Sequence, residues 1–186
     1  DVAQGRKAQP SCVAAKRWSW HMTPPDLIGF SGDWPTYLDR IYQQYHSEII
    51  ATPISLWGNS INVRWVPESH GKPFNFWHLI SEGSEEDERT PDLDRCARIS
   101  WIAWVIASCD QNLDCVSWYL SERTTPRGRK VNMVLWAHDH DYVVILEPKK
   151  GHAMLVSAYP LRSRRVEKTQ REFDAFQRNP TAIPHW

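Results

Sequence analysis

The residue best placed for proton transfer is His78, which lies in the apolar run of residues 76–80. A polar side chain in such a run is costly unless it has a partner, and an imidazole is a natural general acid or base near neutral pH. His78 is therefore a candidate catalytic residue. The structural alternative is a core histidine whose ring bonds to a backbone carbonyl.

Two arginines and two hydroxyl residues are suited to binding phosphate. Arg95 and Arg98 lie three residues apart and so share one face of a predicted helix. Guanidinium groups there can clamp a phosphate, whereas the alternative is an ion pair with the acidic residues just before them. Ser157 and Tyr159 end a predicted strand and point to the same face, because strand side chains alternate. The alternative for this pair is an ordinary strand end.

A metal site is tempting at residues 138–141, where His138 and His140 alternate with two aspartates. Adjacent turn residues rarely converge on one ion, so we expect a polar turn, no bound metal and no cofactor. The sequence also lacks GxGxxG, GxxxxGK[ST], HExxH and GxSxG motifs. Dinucleotide enzymes, P-loop enzymes, common zinc proteases and α/β-hydrolases are therefore disfavoured.

The apolar periodicity predicts the elements that must position these residues. Asp33 and Pro35 suit the start of a helix over 33–50, and Gly58-Asn59 suits a hairpin turn. The remaining elements are strands over 54–58, 61–66 and 74–80, a buried helix from 92 or 94 to 108, strands over 116–120, 131–137, 141–147 and 153–159, and a helix over 163–178. This order predicts an α+β fold: a mostly antiparallel β-sheet packed against a buried central helix, with an extra N-terminal helix and a C-terminal helix.

The size and composition indicate one folded domain. The chain has 186 residues, of which 41% are apolar and 24% charged, and no run long enough to span a membrane. We expect a single domain over 33–180 and a loosely ordered extension over 1–32. The sequence leaves open whether this extension is native or partly derived from a tag. The four cysteines contain no CxxC pair and predict reduced thiols in a cytoplasmic protein, with a Cys109–Cys115 bridge as the alternative.

The charges are balanced overall and segregated locally. Lys plus Arg equals Asp plus Glu at 22 each, so the net charge by itself predicts no nucleic-acid partner. Residues 82–94 hold seven acids against one arginine, a net of −6, whereas residues 121–130 and 147–171 have nets of +3 and +5. Basic segments beside aromatic residues are typical of single-stranded nucleic-acid binding, and a solvated charged face is the alternative.

Four short motifs occur in a characteristic order along residues 54–178. They are GKPFNFWHLIS, then DLDRCARISW at a predicted helix start, then DYVVIL, and then LVSAYP before a Lys/Glu-rich helix. The set resembles the phage- and mobile-element-associated branch of the barnase–EndoU–colicin–RelE superfamily of RNases. The resemblance implies a small metal-independent endoribonuclease, often a toxin, on a helix-plus-antiparallel-sheet scaffold.

The resemblance also implies roles for individual residues. His78 matches the histidine of the family, Arg98 or else Arg95 its helix arginine, and Ser157 and Tyr159 its late Ser/Thr and Tyr. In such an enzyme the substrate 2′-OH attacks the phosphodiester, a histidine transfers protons, and cations stabilise the developing charge. Further basic residues expected to bind the substrate are Lys72, Lys168, Arg127 and Arg129.

We therefore expect a bacterial, cytoplasmic endoribonuclease with RNA as its substrate and no membrane partner; an antitoxin or immunity protein as a second partner stays open. Two other classes remain. One is a non-catalytic RNA- or protein-binding module on the same fold. The other is a metal-dependent nuclease that uses His138 and His140.

Overall fold

The computed structural model describes residues 23–83, 88–125 and 128–184, and all structural statements concern these ranges. The helices are α1 (Trp34–Tyr45), α2 (Phe74–Ile80), α3 (Leu93–Ala97), α4 (Trp101–Asp110) and α5 (Ser163–Arg178). The strands are β1 (Ser55–Leu56), β2 (Asn59–Asn62), β3 (Ser81–Glu82), β4 (Thr90–Pro91), β5 (Ser117–Thr125), β6 (Gly128–Ala137), β7 (Tyr142–Lys149) and β8 (His152–Pro160). The α+β class is confirmed.

The main sheet has six strands in the order β1-β2-β8-β7-β6-β5. Every pairing is antiparallel except that of β2 with β8, which is parallel. The small strands β3 and β4 form a separate pair. The hairpin β1–β2 turns at Trp57 and Gly58, both with positive φ, one residue earlier than predicted.

Helix α1 confirms the first predicted helix. The Asp33 carboxylate accepts a hydrogen bond from the backbone N–H of Thr36 at 2.9 Å and caps the first turn. The buried stripe consists of Tyr37, Ile41 and Tyr45. The helix continues as a π-helical turn over His46–Ile50, so the predicted end near residue 50 is also confirmed.

The segment 74–80 is helix α2, and its prediction as a strand was wrong. Its first N–H groups donate to loop carbonyls, from Phe74 to Trp65 at 3.0 Å and from Asn75 to Arg64 at 2.9 Å. The Asn75 amide also donates to the Leu155 carbonyl at 2.8 Å. Strand β2 pairs with β8 only as far as Met154. At the next residue of β8, Leu155, the side chain of Asn75 forms the hydrogen bond instead of a strand.

The single helix predicted from 92 or 94 to 108 is two helices. Asp92 caps α3 by accepting from the N–H groups of Asp94 and Arg95, and a turn over residues 98–100 separates α3 from α4. Arg98 is the C-cap of α3 and has non-helical backbone angles. Arg95 and Arg98 therefore do not share one continuous helix face with the residues of α4.

The core lies on both faces of the main sheet. Helix α4 contributes Ile102, Val105 and Ile106 to the larger hydrophobic cluster, which confirms it as the buried central helix. On the other face, α5 packs Val166, Phe173 and Phe176 against a smaller cluster, also as predicted. The remaining members of this smaller cluster come from the sheet and its end: Tyr119, Val134, Trp136, Val143, Tyr159 and Leu161.

The predicted extension over 1–32 is described only from residue 23. Ile28 in this part is buried, and its N–H donates to the Ala97 carbonyl at 2.9 Å. The Trp101 indole donates to the Pro25 carbonyl at 2.8 Å, so residues 25–28 pack against α3 and α4. The remaining part of this extension, residues 1–22, lies outside the described ranges.

Cys96, Cys109 and Cys115 are buried and free, so the alternative Cys109–Cys115 bridge does not form. Cys12 lies outside the described residues. Within the described ranges, none of the helices combines the length and the apolar character needed to cross a membrane.

Candidate functional site

The structure brings Arg95 of α3 to Tyr159 of β8. The Arg95 guanidinium lies 5.1 Å from the centre of the Tyr159 ring, and its side chain is only 14% exposed. Its Nη1 atom donates to the Ser81 carbonyl at 2.8 Å, and its Nε atom lies 3.8 Å from the Asp92 carboxylate. The cap that Asp92 makes at the start of α3 thus also helps to orient Arg95.

A second guanidinium reaches the same tyrosine from α5. The Nη1 atom of Arg165 donates to the Tyr159 hydroxyl at 3.3 Å, and the guanidinium carbon lies 5.4 Å from the ring centre. Tyr159 therefore contacts two arginines that come from different helices. Its hydroxyl oxygen accepts from Arg165 and keeps its own proton for donation to a ligand.

Arg89 adds a third guanidinium beside Arg95. It donates to the His78 carbonyl at 3.1 Å, to the Gly83 carbonyl at 2.9 Å, and to the same Ser81 carbonyl that Arg95 uses. Its Nε atom is buried and has no hydrogen-bond partner among the described residues. This arginine therefore binds the carbonyls at the end of α2 and retains an unused N–H donor.

We define the Tyr159 cluster as Tyr159, the two arginines that contact it, Arg95 and Arg165, and four further charged residues linked to Arg95 directly or through Glu82: Arg89, Asp92, Glu82 and Arg162. Arg162 enters through an ion pair with Glu82 at 3.5 Å. Burial lowers the pKa of Arg95; Asp92 opposes this shift and Arg89 adds to it. The guanidinium nevertheless stays charged, so the cluster holds four arginines against two acids, and Arg95 is largely buried within it. Such a site is suited to an anion.

His78 reaches the cluster through its backbone carbonyl, and Ser157 shares a face of β8 with Tyr159. The His78 ring stacks on Phe74 within α2, with ring centres 5.7 Å apart, while its carbonyl binds Arg89. Ser157 of β8 lies opposite Ile145 of β7, next to an irregularity in the pairing register of the two strands. Ala158 is buried in the core, so its neighbours Ser157 and Tyr159 point to the opposite face of the sheet.

Arg98 is directed elsewhere. Its Nη1 atom donates to the Asp94 carbonyl at 2.9 Å and to the Asp94 carboxylate at 3.3 Å. Its guanidinium lies 5.2 Å from the Trp101 ring. Of the two helix arginines that the sequence offers, Arg95 is the one that contacts Tyr159.

Three of the predicted substrate-binding residues are described, and they come from different parts of the fold. The described ones each pair with a nearby acid: Lys72 with Asp39, Lys168 with Glu172, and Arg129 with Glu122. Arg127 lies outside the described residues. Their role in binding stays a prediction.

The two histidines of the 138–140 turn point to different sides of the sheet. The His140 ring contacts Trp101 and Trp104, with centres 5.5 and 5.8 Å away, on the α4 side. The His138 ring contacts Trp136, 5.8 Å away, which packs in the smaller cluster under α5. In the part of the chain that the structure describes, no three His, Cys, Asp or Glu residues are grouped to hold a metal ion.

Sequence reasoning missed Arg89 and Arg165. Arg165 stands in the basic segment over 147–171, but nothing local distinguishes it from the other arginines there. Arg89 is the one basic residue in the acidic segment over 82–94, and this contrast is a signal that could have identified it.

Comparison with known protein families, curated proteins and solved structures finds no match to this chain. The resemblance to the RNase superfamily therefore rests on the motifs alone and stays a prediction.

Proposed function

We propose that the protein is a metal-independent, toxin-like endoribonuclease that acts on RNA in the bacterial cytoplasm and binds the scissile phosphodiester at the Tyr159 cluster. One observation carries the proposal: the Arg95 guanidinium lies 5.1 Å from the Tyr159 ring. The sequence motifs select both residues, although they are far apart in the chain. Their proximity supports a shared site.

The cluster has the chemistry that phosphodiester cleavage requires. Attack by the 2′-oxygen forms a bond to phosphorus and adds negative charge to the non-bridging oxygens. Guanidiniums bind such oxygens with charge-assisted hydrogen bonds, and the Tyr159 hydroxyl supplies a further donor. In this proposal Arg95 takes the role of the helix arginine in place of Arg98, Arg165 adds charge, and Ser157 supplies a second hydroxyl.

His78 performs the proton transfers in this proposal. It accepts the proton of the 2′-OH as the 2′-oxygen–phosphorus bond forms, and it donates that proton to the 5′-oxygen as the bond from the 5′-oxygen to phosphorus breaks. The products are a 2′,3′-cyclic phosphate and a 5′-hydroxyl. The hydrogen bond from Arg89 to the His78 carbonyl, at 3.1 Å, joins the backbone of this residue, not its ring, to the cluster.

A second candidate function is RNA binding without cleavage. It is favoured by the stacking of the His78 ring on Phe74, 5.7 Å away, because that contact suits a structural histidine. The two candidates share the phosphate site and differ only in whether His78 does chemistry.

The test is to incubate the full chain with single-stranded RNA in EDTA and to analyse the product ends. The proposal predicts cleavage with 2′,3′-cyclic phosphate ends and none of a fully 2′-deoxy strand. His78→Ala should slow cleavage by about 10²–10⁴-fold, the usual contribution of a general acid or base, without weakening RNA binding. Binding without cleavage would establish the second candidate. Cleavage that occurs only with a divalent ion would contradict the proposed mechanism, which needs no metal.

A further inference from the structure

An exposed indole lies on an ordered loop at the start of α2. Trp65 is 46% exposed, and the next residue, Val66, is 73% exposed. Ser69 and Lys72 exchange two backbone hydrogen bonds of 3.0 Å, which closes a tight turn in this loop. The Trp77 indole donates to the Ser69 carbonyl at 3.0 Å and fixes the turn to α2. The exposure of Trp65 is thus built into an ordered backbone.

Cations and rings meet in the same loop. The Arg64 guanidinium lies 4.2 Å from the centre of the Phe74 ring, and Phe74 in turn stacks on His78 at an angle of 22°. Lys72 lies 4.8 Å above the Tyr42 ring and pairs with Asp39. Glu68 is the one acid between residues 64 and 72. Exposed aromatic surface beside arginine and lysine is the combination that binds unpaired bases and their phosphates.

The loop lies one short helix away from the Tyr159 cluster. Phe74 begins α2, and Ser81, which follows the helix, accepts a hydrogen bond from Arg95. A helix of 7 residues is about 10 Å long at ~1.5 Å per residue. About three stacked nucleotides cover that length at ~3.4 Å each. One strand of RNA is therefore long enough to contact both places.

We propose that Trp65, with the adjoining Arg64–Phe74 pair, is a stacking platform for an unpaired base of the RNA strand whose phosphate occupies the Tyr159 cluster. This inference rests on the proposed function and adds its substrate class: single-stranded RNA with an unpaired base at least about three nucleotides from the bound phosphate. Every nucleobase has a π-face that can stack on the indole, so the platform adds affinity with little sequence preference.

The experiment measures the Kd of the full chain for a fluorescently labelled single-stranded 2′-O-methyl RNA, which is not cleaved. Trp65→Ala should raise the Kd by about 5- to 100-fold, the effect expected from the loss of one stacked base, and Trp65→Phe should keep most of the affinity. Phe30→Ala is the matched control, because Phe30 is also an aromatic residue with 46% exposure but lies before α1. It should leave the Kd unchanged.

A scan with single abasic nucleotides locates the contact. One abasic position should weaken binding of the unchanged protein and have no effect on Trp65→Ala. Wild-type affinity in Trp65→Ala, while Arg95→Ala still loses affinity, would overturn the platform and leave the proposed function standing; a protein-docking role for this loop gives that result. Equal losses in Trp65→Ala and Phe30→Ala would also overturn the platform. No RNA binding by the unchanged protein would overturn both proposals.

Discussion

The Tyr159 cluster and the tip of the β5–β6 hairpin are both rich in basic residues, but these residues differ in their exposure and in the groups that they contact. At the hairpin, Arg129 pairs with Glu122 on the neighbouring strand, and their side chains are 67% and 41% exposed. In the cluster, the Arg95 side chain is only 14% exposed and shares the Ser81 carbonyl with Arg89. Local charge is similar in the two regions, so burial and tertiary contacts distinguish a candidate site from a solvated surface.

The largest effect is expected from Arg95→Ala. It should lower the single-turnover rate of RNA cleavage by about 100-fold or more, because one charged donor to a transition-state oxyanion contributes on the order of 10²–10³ in rate. Arg123→Ala is the matched control at the hairpin, because Arg123 is an exposed arginine of β5 that is not among the predicted substrate-binding residues, and it should change the rate by less than about twofold. Equal losses in the two variants would show that charge alone matters and that its burial does not.

Asn75 should stabilise the fold at the edge of β8 beside the cluster. This buried residue donates to the Leu155 carbonyl and accepts from the Tyr45 hydroxyl at 3.2 Å. Asn75→Ala leaves two buried polar groups unpaired and should lower the free energy of unfolding by about 2–4 kcal/mol. Thermal unfolding should show a Tm lower by about 5–12 °C for a chain of this size. Asn62→Ala, at an exposed position of β2, is the control, and an equal Tm in both variants would contradict this role.

A smaller effect is expected from removing one hydroxyl. Tyr159→Phe keeps the ring that Arg95 contacts and removes the oxygen that accepts from Arg165 at 3.3 Å. Because a hydrogen bond to a charged group contributes about 1.5–3 kcal/mol, RNA binding should weaken by roughly 10- to 100-fold in titrations with uncleavable RNA. The exposed position of Arg165 favours the lower end of this range. Unchanged affinity would exclude the hydroxyl from the site.

The smallest effect concerns the stability of the hairpin. Arg129 and Glu122 form an exposed ion pair, and such pairs contribute about 0–1 kcal/mol. Denaturant unfolding of Arg129→Ala should therefore give a free energy within this range of the unchanged protein. A loss of several kcal/mol would show that the hairpin is not the solvated reference region that the comparison assumes.

The sequence predicts best what local periodicity determines. Helix α5 occupies the predicted span 163–178 because its apolar stripe is regular and needs no distant partner. The segment 74–80 was assigned to the wrong class because a short aromatic run suits a strand as well as a helix. The contact that decides it, from Asn75 to Leu155, joins residues that are 80 positions apart.

The candidate site was predictable in its residue types and not in its geometry. The spacing of Arg95 and Arg98 indicated one shared helix face, and the turn over residues 98–100 separates them. Arg95 lies beside Tyr159, whereas Arg98 binds Asp94, which is four residues before it. The contact of Arg165 with Tyr159 depends on how α5 packs on the sheet, which no local pattern specifies.

In the proposed site, Arg95 and Tyr159 hold the same phosphate. The most direct test is a double-mutant cycle on the Kd for uncleavable single-stranded RNA, with Arg95→Ala, Tyr159→Phe and the double variant. Residues that share one phosphate should be coupled by about 0.5–3 kcal/mol, so the double variant should bind more tightly than the product of the two single losses implies. Losses that multiply would show two independent contacts and would contradict the account.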